Sequence, residues 1–91
     1  MPVADAFRAT HASGTAPTTG IKIPTRRGLG IRLVIENTDG ANDLDLSFDG
    51  GRSWFQIGQG TARLDLPVRF HYFFVRGNGG AANYQALIFE G

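Results

Sequence analysis

The residues from Leu44 to Ile57 restrict the fold more than any other stretch of the chain. Leu44, Leu46 and Phe48 alternate with Asp43, Asp45 and Ser47, and a period of two is the pattern of a strand that buries one face. Asp49-Gly50-Gly51 follows, residues that tolerate positive φ, and Ser53-Trp54-Phe55-Gln56-Ile57 restarts an extended run on the far side. The segment therefore reads as a tight β-hairpin. In this reading Asp43 and Asp45 face solvent.

The flanking sequence extends the β pattern in both directions. Ile21-Lys22-Ile23 is a short strand stopped by Pro24, and Gly30 to Glu36 is a longer one with Ile31, Leu33 and Ile35 on its inner side. Leu64, Leu66 and Val68 alternate inward, while Pro67 marks an edge, a bulge or a strand boundary. Continued alternation through the aromatic run puts Phe70, Tyr72 and Phe74 in the core and His71, Phe73 and Val75 on the opposite face. Tyr84, Ala86 and Ile88 then alternate with Leu87 and Phe89. These choices leave a second apolar face, Val34, Phe73, Val75, Leu87 and Phe89 with His71, which either the N-terminal segment or another subunit must cover, unless bulges return it to the core.

Residues 1–20 show neither period. They are rich in Ala, Thr, Ser, Gly and Pro, which leaves a loose leader or an extended arm. Ordering an arm of that length costs roughly 1–2 kcal/mol per residue, which requires on the order of 1,000 Å² of apolar contact. A domain this small offers little such surface, so the expectation is an arm at 1–20 lying on neighbouring subunits and a β-sandwich at 21–91.

Composition excludes several functions. Ninety-one residues support one domain, and without cysteine there is neither a disulfide framework nor a thiolate metal site. Nine basic and eight acidic residues give no field to gather nucleic acid or an anionic membrane. Met1 to Phe7 has no continuous apolar run, so neither a signal peptide nor a membrane span is expected there. Asp39, Asp43, Asp45 and Asp49 invite a calcium reading, but their spacing does not match an EF-hand. The glycines of Gly77-Asn78-Gly79-Gly80 precede no helix that could present amides to a phosphate. His11 and His71 have no patterned nucleophile beside them, and Ser13, Ser47 and Ser53 have no base. No enzyme, cofactor or metal is expected. Arg26 and Arg27, in the bend after Pro24, are either a solvated turn or a contact to a partner.

Two resemblances add to this reading. Ser47-Phe48-Asp49-Gly50-Gly51-Arg52-Ser53-Trp54 resembles the Asp-box pattern Ser-x-Asp-x-Gly-x-Thr-Trp, with Ser53 in place of Thr. The resemblance implies a structural turn in which Ser47, Asp49 and Gly51 shape the loop and Trp54 packs beneath it; one copy builds no propeller, so no sialidase activity is implied. More widely, the succession from Ile31 to Phe89 of a strand ending in Asn37, an acidic turn, the Leu44–Gly51 hairpin, an aromatic strand and a Gly/Asn loop resembles the small β-sandwich virion proteins of tailed bacteriophages.

That resemblance implies an antiparallel, jelly-roll-like β-sandwich with an extended N-terminal arm, acting as a capsid decoration or cement protein. The implied setting is the capsid surface of a virion, after synthesis in the host cytoplasm, with the major capsid protein as partner and a homotrimer as the assembly. The interface residues expected for it are Arg26, Arg27, His71, Phe73, Val75 and Phe89. The rival reading is a carbohydrate- or receptor-binding module of a tail, fibre or baseplate, with Trp54, Phe55 and Tyr84 as a stacking platform.

Overall fold

The computed structural model describes residues 8–26, 28–60 and 63–91. Eight strands appear in chain order: β1 (Arg8–Ala16), β2 (Ile21–Pro24), β3 (Gly30–Asn37), β4 (Asp43–Ser47), β5 (Phe55–Ile57), β6 (Arg63–Leu66), β7 (Tyr72–Asn78) and β8 (Ala82–Glu90). They form two four-stranded antiparallel sheets, ordered β1-β8-β3-β6 and β2-β7-β4-β5. The pairs β4–β5, β3–β6, β2–β7 and β1–β8 nest inside one another like one long hairpin rolled into two layers. Only the β4–β5 connection stays within one sheet; every other connection crosses between layers.

The core lies between the sheets. Leu33, Ile35, Tyr84, Ala86 and Ile88 of the first sheet face Leu44, Leu46, Ile57, Phe73 and Val75 of the second, all buried. Burying each large aliphatic or aromatic side chain is worth about 1.5–3 kcal/mol. At one end Phe48, Phe70 and Phe73 pack as an aromatic trio, with centroids 5.7 Å apart for Phe48–Phe70 and for Phe70–Phe73 and 6.4 Å for Phe48–Phe73.

The expected phase of β7 is overturned. Phe73 and Val75 are fully buried, and Tyr72 and Phe74 lie on the outer side. The cause is a layer change. Phe70 bridges Gly30 of the first sheet, the chain bends at His71, and β7 begins in the second sheet. The inward direction reverses on crossing from one layer to the other, so the alternation slips by one residue. Ile31 fails for a related reason: the β3–β8 register shifts between Gly30 and Arg32, and the bulge leaves Ile31 exposed.

The N-terminal expectation also changes. Residues 8–16 are a strand of the sandwich, paired along their whole length from Arg8↔Glu90 to Ala16↔Ala82, and Ala16 is buried. β1 has little apolar pattern of its own because β8 supplies its hydrogen-bond template, so backbone pairing on the same chain does the work assigned to neighbouring subunits. Of the rest of the expected arm, residues 17–20 make a turn in which Gly20 N donates to the Pro17 carbonyl at 3.1 Å, and residues 1–7 lie outside the described residues, as do Thr61 and Ala62.

Gly30 makes the layer change possible. Its amide donates to the Phe70 carbonyl at 2.7 Å and its carbonyl accepts from Phe70 N at 3.0 Å. A Cβ at position 30 would stand only 2.6–2.8 Å from three atoms of the Phe70 ring. Gly30→Ala is expected to destabilise the fold by about 1–3 kcal/mol through overpacking, and Phe70→Leu in that background should recover part of the loss. Urea denaturation of the single and double variants checks both. Additive losses in the double variant would show that the contact does not carry the effect.

Candidate interaction surfaces

The Leu44–Ile57 hairpin ends in a closed hydrogen-bonded turn. Ser47 Oγ donates to Asp49 Oδ1 at 2.8 Å and accepts from Gly51 N at 2.9 Å. Asp49 Oδ1 accepts from Arg52 N and Ser53 N, each at 2.9 Å, and Oδ2 accepts from the Ser53 hydroxyl. Trp54 Nε1 donates to the Gly51 carbonyl at 3.0 Å. Gly51 has φ +95° with Trp54 Cζ2 3.3 Å from where a Cβ would stand, so backbone conformation and the indole both select glycine. The Ser53 hydroxyl, then the Ser53 amide and the Ser47 hydroxyl, hold the Asp49 carboxyl well below the usual carboxylate range.

The acidic residues weighed for calcium are each engaged separately. Asp39 Oδ2 accepts from Asn42 N at 2.8 Å and Ala41 N at 3.1 Å, and these amides lower its pKa. Asp43 accepts from Gln59 N at 3.1 Å and from the Gln56 side chain. Asp45 is the exception to the expected solvent face: it is 3% exposed and pairs with Arg76 Nε at 2.9 Å. It sits on β4, one of the two inner strands of its sheet, between β7 and β5. Among the described residues no group of three or more His, Asp or Glu is arranged to hold a metal ion.

The six residues expected at one interface do not share a face. Phe73 and Val75 belong to the core. Exposed Arg26 follows β2, where its amide donates to Glu90 Oε2 at 2.6 Å. His71 is exposed in the bend before β7, its carbonyl accepting from Thr25 N at 2.9 Å. Half-buried Phe89 lies on the outer face of the other sheet, and Arg27 lies outside the described residues. Trp54, Phe55 and Tyr84 form no platform either. Tyr84 is buried, its phenol pushed up by desolvation, whereas Phe55 is 59% exposed at the β5 edge.

Two outer faces remain. On the first sheet Val34, Leu87 and Phe89 form a half-buried apolar strip. Arg32 grips Asp65 with bonds of 2.8 and 2.6 Å on one side of it and stands 5.4 Å over the Phe89 ring. Arg63 approaches Glu36 at 3.7 Å on the other side. His11, opposite Leu87, completes a shallow depression with Val34, Glu36, Arg63 and Gln85. On the second sheet Lys22 lies 4.6 Å over Tyr72, Tyr72 meets Phe74 edge to face at 5.7 Å, and Arg76 lies 4.0 Å over Trp54.

Sequence reasoning found Val34, Leu87 and Phe89 because β3 and β8 keep their phase. It missed Tyr72 and Phe74, whose outward position depends on the layer change after Phe70. The only available signal was Gly30, a residue without a side chain at the start of an apolar strand.

No family model matches the chain, and no curated protein matches it. Among solved structures it is similar to the crystal structure of FLHE, with 15% identity and a TM-score of 0.41 over 92% of this chain and 96% of that one.

The lowered carboxyls set the acid response. Asp49, Asp39 and Asp65, the last lowered chiefly by the Arg32 hydrogen bond, resist protonation when folded. Their contribution is complete above the unfolded carboxylate value of about 4 and is lost as the pH falls below it. Thermal unfolding between about pH 2 and 7 should show stability declining only at the acid end. Asp49→Asn should lower stability at neutral pH and flatten that decline; an unchanged acid limb would remove Asp49 from the account.

Proposed function

We propose that this chain is a structural virion protein of the capsid decoration type, a non-catalytic module that clamps neighbouring major capsid subunits and stabilises the shell. The strand order β1-β8-β3-β6 and β2-β7-β4-β5 supports a jelly-roll reading, an architecture used by viral capsid and lectin domains alike. Because fold alone does not select function, the outer surface must decide. The observation that carries the reading is the strip of Val34, Leu87 and Phe89 bordered by the Arg32–Asp65 and Arg63–Glu36 pairs. An apolar centre with a charged rim is how a protein–protein contact is built.

Since β1 is docked on β8, the clamp in this proposal is a sheet face and not a loose arm. Each bound copy adds its own interface, and mass action spreads the stabilisation over the shell surface. The carbohydrate-binding rival has lost its platform with the burial of Tyr84.

Purified chain added to shells stripped of it should bind saturably and raise their melting temperature. Leu87→Asp should weaken attachment at least about tenfold, or about 1.4 kcal/mol, whereas Tyr72→Ser on the opposite face should bind as the parent does. Circular dichroism of both variants separates a lost contact from a lost fold. Absence of saturable binding, combined with sugar-dependent quenching of the single tryptophan, Trp54, would transfer the assignment to the glycan-binding rival.

A further inference from the structure

Among the described residues four strands form sheet edges, β1 and β6 in one sheet and β2 and β5 in the other. Natural edges are protected by brevity, charge, proline or bulges, and three of these follow the rule. β2 has four residues with Lys22 inside and Pro24 at its end, β5 has three, and β6 has four with Arg63 and Asp65, followed by Pro67. β1 has only Arg8 at its start and Pro17 after its end. It runs for nine residues without Pro, Lys, Asp or Glu, and its register against β8 is unbroken. His11 is the only ionisable side chain from Ala9 to Ala16. Beside this edge, where the two layers part, lies a cleft lined by Thr10, Ala12, Ile23, Pro24, Arg26 and Ile88.

We propose that the free edge of β1 pairs antiparallel with β1 of a second copy of this chain, joining two four-stranded sheets into one of eight strands. Antiparallel pairing of identical strands is isologous, so it closes at two copies. The register that uses the whole strand is centred on Ala12. It sets His11 opposite Ser13, Thr10 opposite Gly14 and Ala9 opposite Thr15 of the other copy. These pairs combine small or neutral groups, Arg8 falls opposite Ala16, and no like charges oppose each other. Inward-facing side chains of the added strand close over the cleft beside Ile23 and Ile88, so the pairing buries apolar surface as well as backbone groups. The absence of Asp, Glu, Lys and Arg from Ala9 to Ala16 is what makes the strand complementary to itself.

The pairing does not rest on the shell reading and is tested in solution without shells. Light scattering of the full chain at about 100 µM, a concentration that populates weak interfaces, should give twice the chain mass. The double variant H11K/S13K changes two exposed positions and sets lysines opposite one another twice. It should raise the dissociation constant at least about tenfold while circular dichroism stays unchanged. Because the chain has no cysteine, a second measurement fixes the register. A mixture of the His11→Cys and Ser13→Cys variants should form disulfide-linked pairs on mild oxidation, since opposed Cα atoms about 4.5–5.5 Å apart suit a disulfide. Either variant alone should not. A monomer or trimer mass, a dimer that survives H11K/S13K, or cross-linking no faster in the mixture than in the separate variants overturns the proposal.

Discussion

The contact of Phe70 with Gly30 governs how the rest of the chain is distributed between the layers. Two backbone hydrogen bonds hold Phe70 to the end of the first sheet, while its ring fills the space that a side chain on Gly30 would take. From there the ring reaches Phe48 and Phe73 of the opposite layer. One residue thus anchors the junction between the sheets. It also sets the phase of β7, and everything on the outer face of the second sheet follows from that phase. With Phe73 and Val75 inward, Tyr72, Phe74 and Arg76 are outward.

The parts of the fold legible in the sequence are those where a strand stays in one layer and keeps its period. The central hairpin, the inward set Leu33 and Ile35, and the alternation of Tyr84, Ala86 and Ile88 with Leu87 and Phe89 all fall in this class. What escaped has a physical reason in each case. Period-two reasoning carries no information about a change of layer, so the crossing at His71 inverted Phe73 and Val75. A bulge is invisible to the same reasoning, which misplaced Ile31. β1 is invisible because its stability comes from a partner strand far away in sequence, not from its own apolar residues. Asp45 misled for a different reason: an aspartate alternating with leucines reads as solvated, whereas here Arg76 and Asn78 satisfy its carboxylate, which makes burial tolerable.

The expectation that a second apolar face must be covered also meets a specific answer. Three cations lie across three rings: Arg32 over Phe89, Lys22 over Tyr72 and Arg76 over Trp54. The hydrocarbon parts of such side chains shield apolar surface while the charge stays wet, and the ring face adds an electrostatic attraction. Tyr72 and Trp54 are covered in this way, whereas Phe55 of the same sheet is 59% exposed. On the first sheet Arg32 shields Phe89, while Val34 and Leu87 line the shallow depression with His11, Glu36 and Arg63. In the proposed clamp this depression is the apolar foothold.

That foothold and the unprotected β1 edge lie on the same sheet. His11, Leu87, Val34 and Asp65 form one cross-strand row running from β1 to β6. If two copies join through β1, rows of this kind continue from one sheet into the other, and both Val34–Leu87 strips lie on one face of an eight-stranded sheet. A ligand surface that binds weakly as a single patch gains by being presented twice at a fixed spacing, because the second contact forms at a high effective concentration. Strand pairing would then do for this small domain what a longer arm or a larger core does elsewhere: it would enlarge the adhesive face without adding residues. On this view the absence of Asp, Glu, Lys and Arg from Ala9 to Ala16 and the concentration of ion pairs at the opposite side of the sheet are complementary features, one edge left open to a copy and the other closed against it.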